Sequence, residues 1–190
     1  MHKNSRIKTI IHHSLFLIRK SEGFTLFELI VAIGIIGILV GGLLILINPV
    51  DNIKKAKDTK RKSDLSQIQK VLEQYYQDNG RYPAMVANND FRIKRLDGTP
   101  VDWGTSWQPY MNILPNDTSA PAKNYVYDVD ATGQSYWLYA NLDRGGSDAQ
   151  ACNGGQACLS LSQRGISSTA CGEAQHQICN YGVSSPNVSP

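Results

Sequence analysis

The feature that most constrains this chain is an uncharged apolar segment near its N-terminus. From Leu29 to Ile47 the sequence has 19 residues and no charged side chain. As an α-helix this segment is about 28 Å long, close to the ~30 Å hydrocarbon core of a bilayer. It is longer than the apolar core of a secretory signal, and Asn48-Pro49 follows it where small residues would mark a cleavage site. We therefore expect a membrane-spanning helix that is retained.

An acidic residue, Glu28, directly precedes the apolar segment. A carboxylate within a bilayer costs roughly 2.5–3.5 kcal/mol on insertion scales, so an acid here requires an explanation. Its position alone is compatible with a side chain that reaches out to interfacial water. Basic residues flank the apolar segment on both sides, at positions 3–20 and 54–62, so charge alone does not decide which end faces the cytoplasm.

A second, amphipathic helix is predicted after the membrane segment. Pro49 marks a break, and a helical pattern resumes at about Asp51 and runs to Asn79, where Gly80 predicts a C-cap. One face of this helix carries apolar residues at helical spacing: Leu65, Ile68, Leu72 and Tyr75. The first half, Lys54 to Lys62, has few apolar residues, so we expect it to be solvated or to contact neighbouring molecules.

Short strands are predicted in the remainder of the chain. Residues 125–129 and 135–140 are rich in aromatic and β-branched side chains, and the turn sequence at 130–133 joins them as a hairpin. A further strand is predicted near residues 91–96. Polar and small residues dominate after position 143, and we expect the last residues, 184–190, to be frayed.

All four cysteines lie in the last 40 residues, at Cys152, Cys158, Cys171 and Cys179. An even number in a loop-rich segment beyond a membrane span favours two disulfides in an oxidising compartment. A zinc site is the alternative, but none of the intervals has the short knuckle spacing that such sites use. Of the three possible connectivities, the local one, Cys152–Cys158 with Cys171–Cys179, is favoured because short loops close readily.

The N-terminal segment resembles the processing site of type IV prepilins and type II secretion pseudopilins. The matching residues are a basic leader, then Gly23-Phe24-Thr25-Leu26-Phe27-Glu28, then the apolar segment and the amphipathic helix. Residues 78–83 and the hairpin are also similar to these proteins. The resemblance implies an α+β, type IV pilin-like fold: a long N-terminal helix packed on a small antiparallel sheet, with a disulfide-stapled C-terminal loop region.

The resemblance divides the chain into four parts. They are a leader (1–23), a transmembrane helix (24–48), an amphipathic helix (49–80), and a β-sheet region with the cysteine-containing tail (81–190). A prepilin peptidase is expected to cut between Gly23 and Phe24 and to methylate Phe24. The new ammonium group would then pair with Glu28 of a neighbouring subunit, because a paired acid in an apolar environment is tolerated where an unpaired one is not.

The resemblance also implies partners and location. The expected partners are other copies, other pilins, the prepilin peptidase, and an inner-membrane assembly platform with its ATPase. The precursor would span the cytoplasmic membrane once, with its globular part outside the cytoplasm, before joining a surface or periplasmic filament. The alternative is a single-pass, membrane-anchored extracytoplasmic binding domain that does not polymerise.

Other chemistry finds little support in the sequence. Only His176 remains among the histidines after cleavage, so no catalytic constellation is predicted and no enzyme is expected. The net charge of +3 does not support nucleic-acid binding. No cofactor is expected, although major pseudopilins often bind calcium after the hairpin, where Asp143 and Asp148 are the candidate ligands. Glu22 and the late position of Pro49 depart from the family's usual pattern.

Overall fold

The computed structural model describes residues 23–86, 90–172 and 177–190, except for the side chains of residues 44–47. The predicted leader, apart from Gly23, and His176 lie outside these described residues. The chain divides into two compact units, with the boundary between Ile47 and Asn48. Among the described residues, the first unit contains one helix and the second contains the remaining elements.

Helix α1 spans Leu26–Ile47 and helix α2 spans Pro49–Asn79. Asn48 separates them in a left-handed conformation, with φ 44°, and its side chain accepts a hydrogen bond from the Asp51 backbone N–H. Pro49 occupies the first turn of α2, where its missing N–H costs no intrahelical bond. Gly80 ends α2 with φ 70° and donates its N–H to Tyr76 O. Both predicted helix boundary signals therefore act within one or two residues of their expected positions.

The sheet has three antiparallel strands in the order β1-β2-β3. Strand β1 is Val126–Val129, β2 is Tyr136–Ala140, and β3 is Tyr181–Ser184. The predicted hairpin is confirmed, with Tyr127 opposite Leu138 in its register. The third strand was not predicted from the sequence.

One face of the sheet packs against α2. The predicted helix stripe is confirmed, since Leu65, Ile68, Leu72 and Tyr75 are all buried. These side chains share a cluster with alternate strand residues, namely Tyr127, Tyr136, Leu138 and Ala140. The α2 and hairpin residues of this cluster show the expected period, whereas its other buried residues come from irregular segments: Tyr82, Ile93, Val101, Trp107 and Leu114.

The other face of the sheet carries a second core. Val126, Trp137 and Tyr139 pack there with the short helix α3, Leu159–Gln163, and with both disulfides. The pairs are Cys152–Cys158 and Cys171–Cys179, so the disulfide prediction is confirmed in its local connectivity. All five residues of β2 are buried because the strand is covered on both faces.

Two expectations are wrong. Residues 91–96 form isolated bridges, Met85 with Ile93 and Lys94 with Pro100, instead of a strand. Phe91 has φ 55°, which breaks the extended conformation. The C-terminal residues are not frayed, because Ser185 is buried and its N–H donates to Tyr136 O, while the Trp137 indole N–H donates to Ser189 O.

Candidate processing and assembly site

The residues before α1 are open to solvent. Gly23 and Phe24 precede the helix without regular structure, and the Phe24 side chain is 89% exposed. A Cβ atom built on Gly23 would have no atom within 4 Å outside its chain neighbours. The peptide bond between Gly23 and Phe24 is therefore accessible to another macromolecule.

Thr25 and Glu28 form a reciprocal cap at the start of α1. The Thr25 hydroxyl accepts a hydrogen bond from the Glu28 backbone N–H at 3.2 Å. In return, the Thr25 backbone N–H and hydroxyl donate to Glu28 Oε2 at 3.0 and 2.9 Å. This is a capping box, in which two otherwise unpaired backbone N–H groups of the first turn are satisfied.

The cap gives Glu28 a partner within its own chain. Both Thr25 donors contact Oε2, and Oε1 accepts no hydrogen bond from the described residues. A carboxylate has about four acceptor sites, so Oε1 can still accept a further donor. Thr25 was predicted only as part of the processing motif, although its T-x-x-E spacing to Glu28 is a recognisable capping signal.

The described side chains of helix α1 are exposed, and all but Glu28 lack charge. Its segment Leu26–Leu43 is long and apolar enough to cross a membrane, with mean hydropathy 2.5 and no buried residue. Cβ atoms built at Gly34, Gly37 and Gly41 would meet no atom within 4 Å outside the helix's own nearby backbone. Water solvates such a surface poorly, so lipid or other apolar helices must cover it.

The two candidate calcium ligands are bound to cations of the chain. Asp143 accepts hydrogen bonds from Arg61 Nη1 at 2.8 Å and Lys123 Nζ at 2.5 Å. Asp148 accepts one from Lys62 Nζ at 2.5 Å. Within the described residues, no group of three His, Cys, Asp or Glu side chains is arranged to hold a metal ion.

The charges around these two acids lower their pKa values. Burial acts to raise the pKa of Asp143, but hydrogen bonds from Arg61 and Lys123 outweigh it and the pKa falls below its usual value. For Asp148, the hydrogen bond from Lys62 is the largest cause of a lowered pKa. Both carboxylates are therefore ionised and neutralised by the chain itself.

The basic stretch of α2 is not wholly solvated, contrary to expectation. Arg61 is fully buried, and its guanidinium bonds to Asp58, Asp117 and Asp143. Asp58 additionally accepts the backbone N–H groups of residues 143 and 144. These contacts attach the loop after β2 to α2 by charge, in the part of the helix that lacks an apolar face.

Comparison with known proteins matches two segments to families. Residues 18–44 match the prokaryotic N-terminal methylation motif, and residues 48–158 match type II secretion system protein G. The type II secretion system core protein G of Pseudomonas aeruginosa is 32% identical over 137 residues, covering 70% of this chain and 93% of the relative.

Other curated relatives extend the same similarity. The core protein G of Klebsiella pneumoniae is 39% identical over 99 residues, covering 52% of this chain and 69% of the relative. The type IV wide pilus major component PilA4 of Thermus thermophilus is 31% identical over 128 residues, covering 67% of this chain and 86% of the relative. No solved structure gives a significant match.

Proposed function

Because the chain belongs to the type II secretion system protein G family, we propose that it is a structural subunit of a type II secretion pseudopilus, made as a precursor and then cleaved, methylated and assembled. One observation carries this proposal: the methylation motif is continuous with a helix whose segment Leu26–Leu43 is long, apolar and exposed. The family's role is structural, so no catalytic function is proposed.

Processing is proposed at the bond between Gly23 and Phe24. The exposure of both residues supports this assignment, because a peptidase must bind the chain in an extended form. Glycine permits the closest approach of an enzyme to the backbone. The leader would face the cytoplasm, and the released Phe24 amine would be the group that is methylated.

Glu28 is proposed to act in assembly while it keeps its cap. Cleavage leaves the Thr25 N–H and hydroxyl in place, so the bonds to Oε2 can persist in the mature subunit. Oε1 would then accept the Phe24 ammonium of a neighbouring copy. The cap lowers the cost of an acid in the bilayer before assembly, and the intersubunit pair adds a second partner afterwards.

The location and partners follow from the same features. The precursor is anchored by α1 in the inner membrane, with the globular unit outside the cytoplasm, and the helix becomes part of a filament core. Partners would be other copies, other pilins, the prepilin peptidase, and the assembly platform with its ATPase. We also propose that the loop after β2 needs no calcium, since Lys62, Lys123 and Arg61 neutralise its acids.

Mass spectrometry of the mature N-terminus tests the proposal. Co-expression with a prepilin peptidase should yield a chain that begins with methylated Phe24. Gly23→Val should block the cut, whereas the matched change Gly34→Ala, at a glycine with open space inside α1, should leave it intact. A retained Met1, or a cut beyond residue 47, would instead support the membrane-anchored binding domain.

The role of Glu28 is tested separately from cleavage. Glu28→Ala should be cleaved and methylated normally, yet fail to enter filaments that can be sheared from cells. Glu28→Asp keeps the negative charge and is the matched control, because a defect caused by loss of charge should appear in Glu28→Ala and not in Glu28→Asp. Normal assembly of the Glu28→Ala variant would contradict the assigned role.

A further inference from the structure

A groove in the globular unit is lined by three cationic side chains. It lies beside the C-terminal end of α2, the loop at residues 94–98 and the turn between β1 and β2, and its cavity measures about 250 Å³. The cations are Arg81, Lys94 and Arg95. Within the described residues, none of the three forms an ion pair.

The guanidinium of Arg95 is held in place by neutral acceptors. Its guanidinium donates to the carbonyl oxygens of Pro100 and Ser106 at 2.9 and 2.8 Å. Both acceptors are neutral. Hydrogen bonds from Thr99, and to a smaller extent the charge of Arg95, lower the pKa of the nearby Asp97 carboxyl, but no ion pair forms between Asp97 and Arg95. Arg95 is therefore fixed in position by neutral acceptors, and its guanidinium can still bind an anion.

One carboxylate, Asp130, also lines the groove and offsets one of its three positive charges. Asp130 accepts the N–H groups of residues 134 and 135 and the hydroxyl of Thr132, all within its own turn. These bonds engage both of its oxygens. With three cations and one anion, the groove lining carries a net positive charge, and its cationic side chains are exposed or half-buried.

Backbone contacts fix the walls of the groove. The Tyr82 N–H donates to Gly133 O at 2.8 Å, and the Lys94 N–H donates to Ala84 O at 2.8 Å. Gly133 has φ 71°, and a Cβ atom there would lie 3.0 Å from Arg81 Cβ. Glycine is required at this close approach, so the groove exists before any ligand binds.

A complementary charge occurs on the surface of the same chain. Asp78 is exposed near the C-terminal end of α2, and it forms no ion pair among the described residues. Several other acids of the globular unit are already paired, including Asp51 with Arg144 and Asp148 with Lys62. Asp78 is therefore available to a partner outside its own chain.

We propose that the groove of one copy receives Asp78 of a neighbouring copy in the filament, an inference that rests on the proposed function. Asp78 is not part of the groove lining, so a contact in which the acid of one copy enters the groove of the next joins two unlike sites and can repeat along a helical polymer. Each subunit then offers one cationic groove and one acid. Because the pair is charged, it sets the register of the contact and excludes copies in wrong orientations.

Carbodiimide cross-linking of full-length filaments detects the contact directly. The reagent joins the Asp78 carboxyl carbon to Lys94 Nζ as an amide, and the carboxyl oxygen leaves in the urea product. We expect a dimer-sized product that contains the 78–94 linkage. Lys94→Arg keeps the charge but removes the reactive amine, so it should assemble and lose the product. Lys70→Arg, on an exposed α2 lysine outside the groove, is the matched control.

Charge reversal tests the contact energetically. Asp78→Lys or Lys94→Glu alone should lower the assembled fraction about tenfold, since like charges then face each other. Lys70→Glu changes the net charge equally and should assemble normally. The double variant should recover assembly. Co-expression of the two single variants should also recover it, because alternating copies restore every contact.

The outcomes separate this inference from the proposed function. Filaments without the 78–94 product, together with normal assembly of both single reversals, would overturn the groove contact and leave the filament function standing. If assembly recovers in the double variant but not when the two single variants are co-expressed, Asp78 and Lys94 must contact each other within one copy. That result would also overturn the proposed contact between copies. If the correctly processed wild-type chain forms neither filaments nor inter-copy products, both proposals fail.

Discussion

Removal of the Arg61 side chain should destabilise the globular unit more than any other single change in its basic stretch. Arg61 is fully buried, and all five of its N–H groups are used. They bond to Asp117 twice, at 2.7 and 3.1 Å, and once each to Asp58, Asp143 and Ser119. Burial of the cation is compensated by carboxylates that are themselves almost fully buried at Asp58 and Asp117.

The magnitude follows from what Arg61→Met would leave behind. Asp117 would keep the Ser119 N–H but lose both guanidinium bonds, and it would remain as a buried anion without a cation. Removing one partner of a buried ion pair costs about 3–5 kcal/mol. Arg61→Lys should lose less than Arg61→Met, because an ammonium keeps the charge but cannot form the bidentate contact to Asp117.

Tryptophan fluorescence during urea unfolding measures the effect in the full-length, disulfide-intact chain in detergent. All three tryptophans, Trp103, Trp107 and Trp137, lie in the globular unit, so the signal reports that unit and not α1. With a urea m-value of about 1.5 kcal/mol/M, the expected loss shifts the midpoint by about 2 to 3 M.

Lys62→Met is the matched control for Arg61→Met. Lys62 and Asp148 are each 22% exposed, so their ion pair should contribute no more than about 1 kcal/mol. Asp117→Asn in the Arg61→Met background should recover part of the loss, since it removes the stranded charge. The reasoning is refuted if Arg61→Met costs no more than Lys62→Met, or if Asp117→Asn adds to the loss instead of reducing it.

Three further predictions concern the remaining ionised groups. Thr25→Val, but not Thr25→Ser, should increase labelling of Glu28 by an apolar carbodiimide, because Oε2 loses the hydroxyl donor and becomes more accessible to the reagent; equal labelling in both variants would count against the cap. The lowered pKa of Asp143 means that its contribution to stability is present above pH ~4 and is lost as the pH falls further. Asp143→Asn should therefore flatten the acid limb of the unfolding free energy against pH, and an unchanged slope would contradict the ion-pair geometry. Chelation with EGTA should leave the melting temperature of the wild type unchanged, and a clear drop on chelation would show that a bound divalent cation stabilises the loop after β2.

Prediction from sequence worked where a short window contains the physical cause. A bilayer-length apolar segment is recognisable without its neighbours, because length and hydropathy are properties of the segment itself. The same holds for the helix stripe from Leu65 to Tyr75, the turn at 130–133 and the Gly80 cap. Short loops between cysteines also favour their own closure, and the observed pairs are the local ones.

The candidate site was predicted in part for the same reason. Gly23, Phe24 and Glu28 follow a linear motif, and the motif match at residues 18–44 extends over them. Thr25 has an equally local signal in its spacing to Glu28, but only the structure shows which hydrogen bonds join the two residues. The reciprocal bonds change the role of Glu28 from an unsatisfied acid to a capped one with one free oxygen.

The long-range partners were decided only by the tertiary structure. A basic residue in a polar stretch is normally solvated, and nothing near Arg61 in sequence indicates burial. Its partners Asp117 and Asp143 lie 56 and 82 residues away, and burial is favourable only when both arrive together. Strand β3 and the ordered C-terminus were likewise not predictable from local sequence, because each depends on contacts with β2. The sequence by itself thus determined the helices, the hairpin and the processing motif, because their causes are local. The tertiary structure decided which charges are buried and what covers the second face of the sheet. The ion pairs and apolar contacts that stabilise those arrangements form only between segments that are distant in sequence.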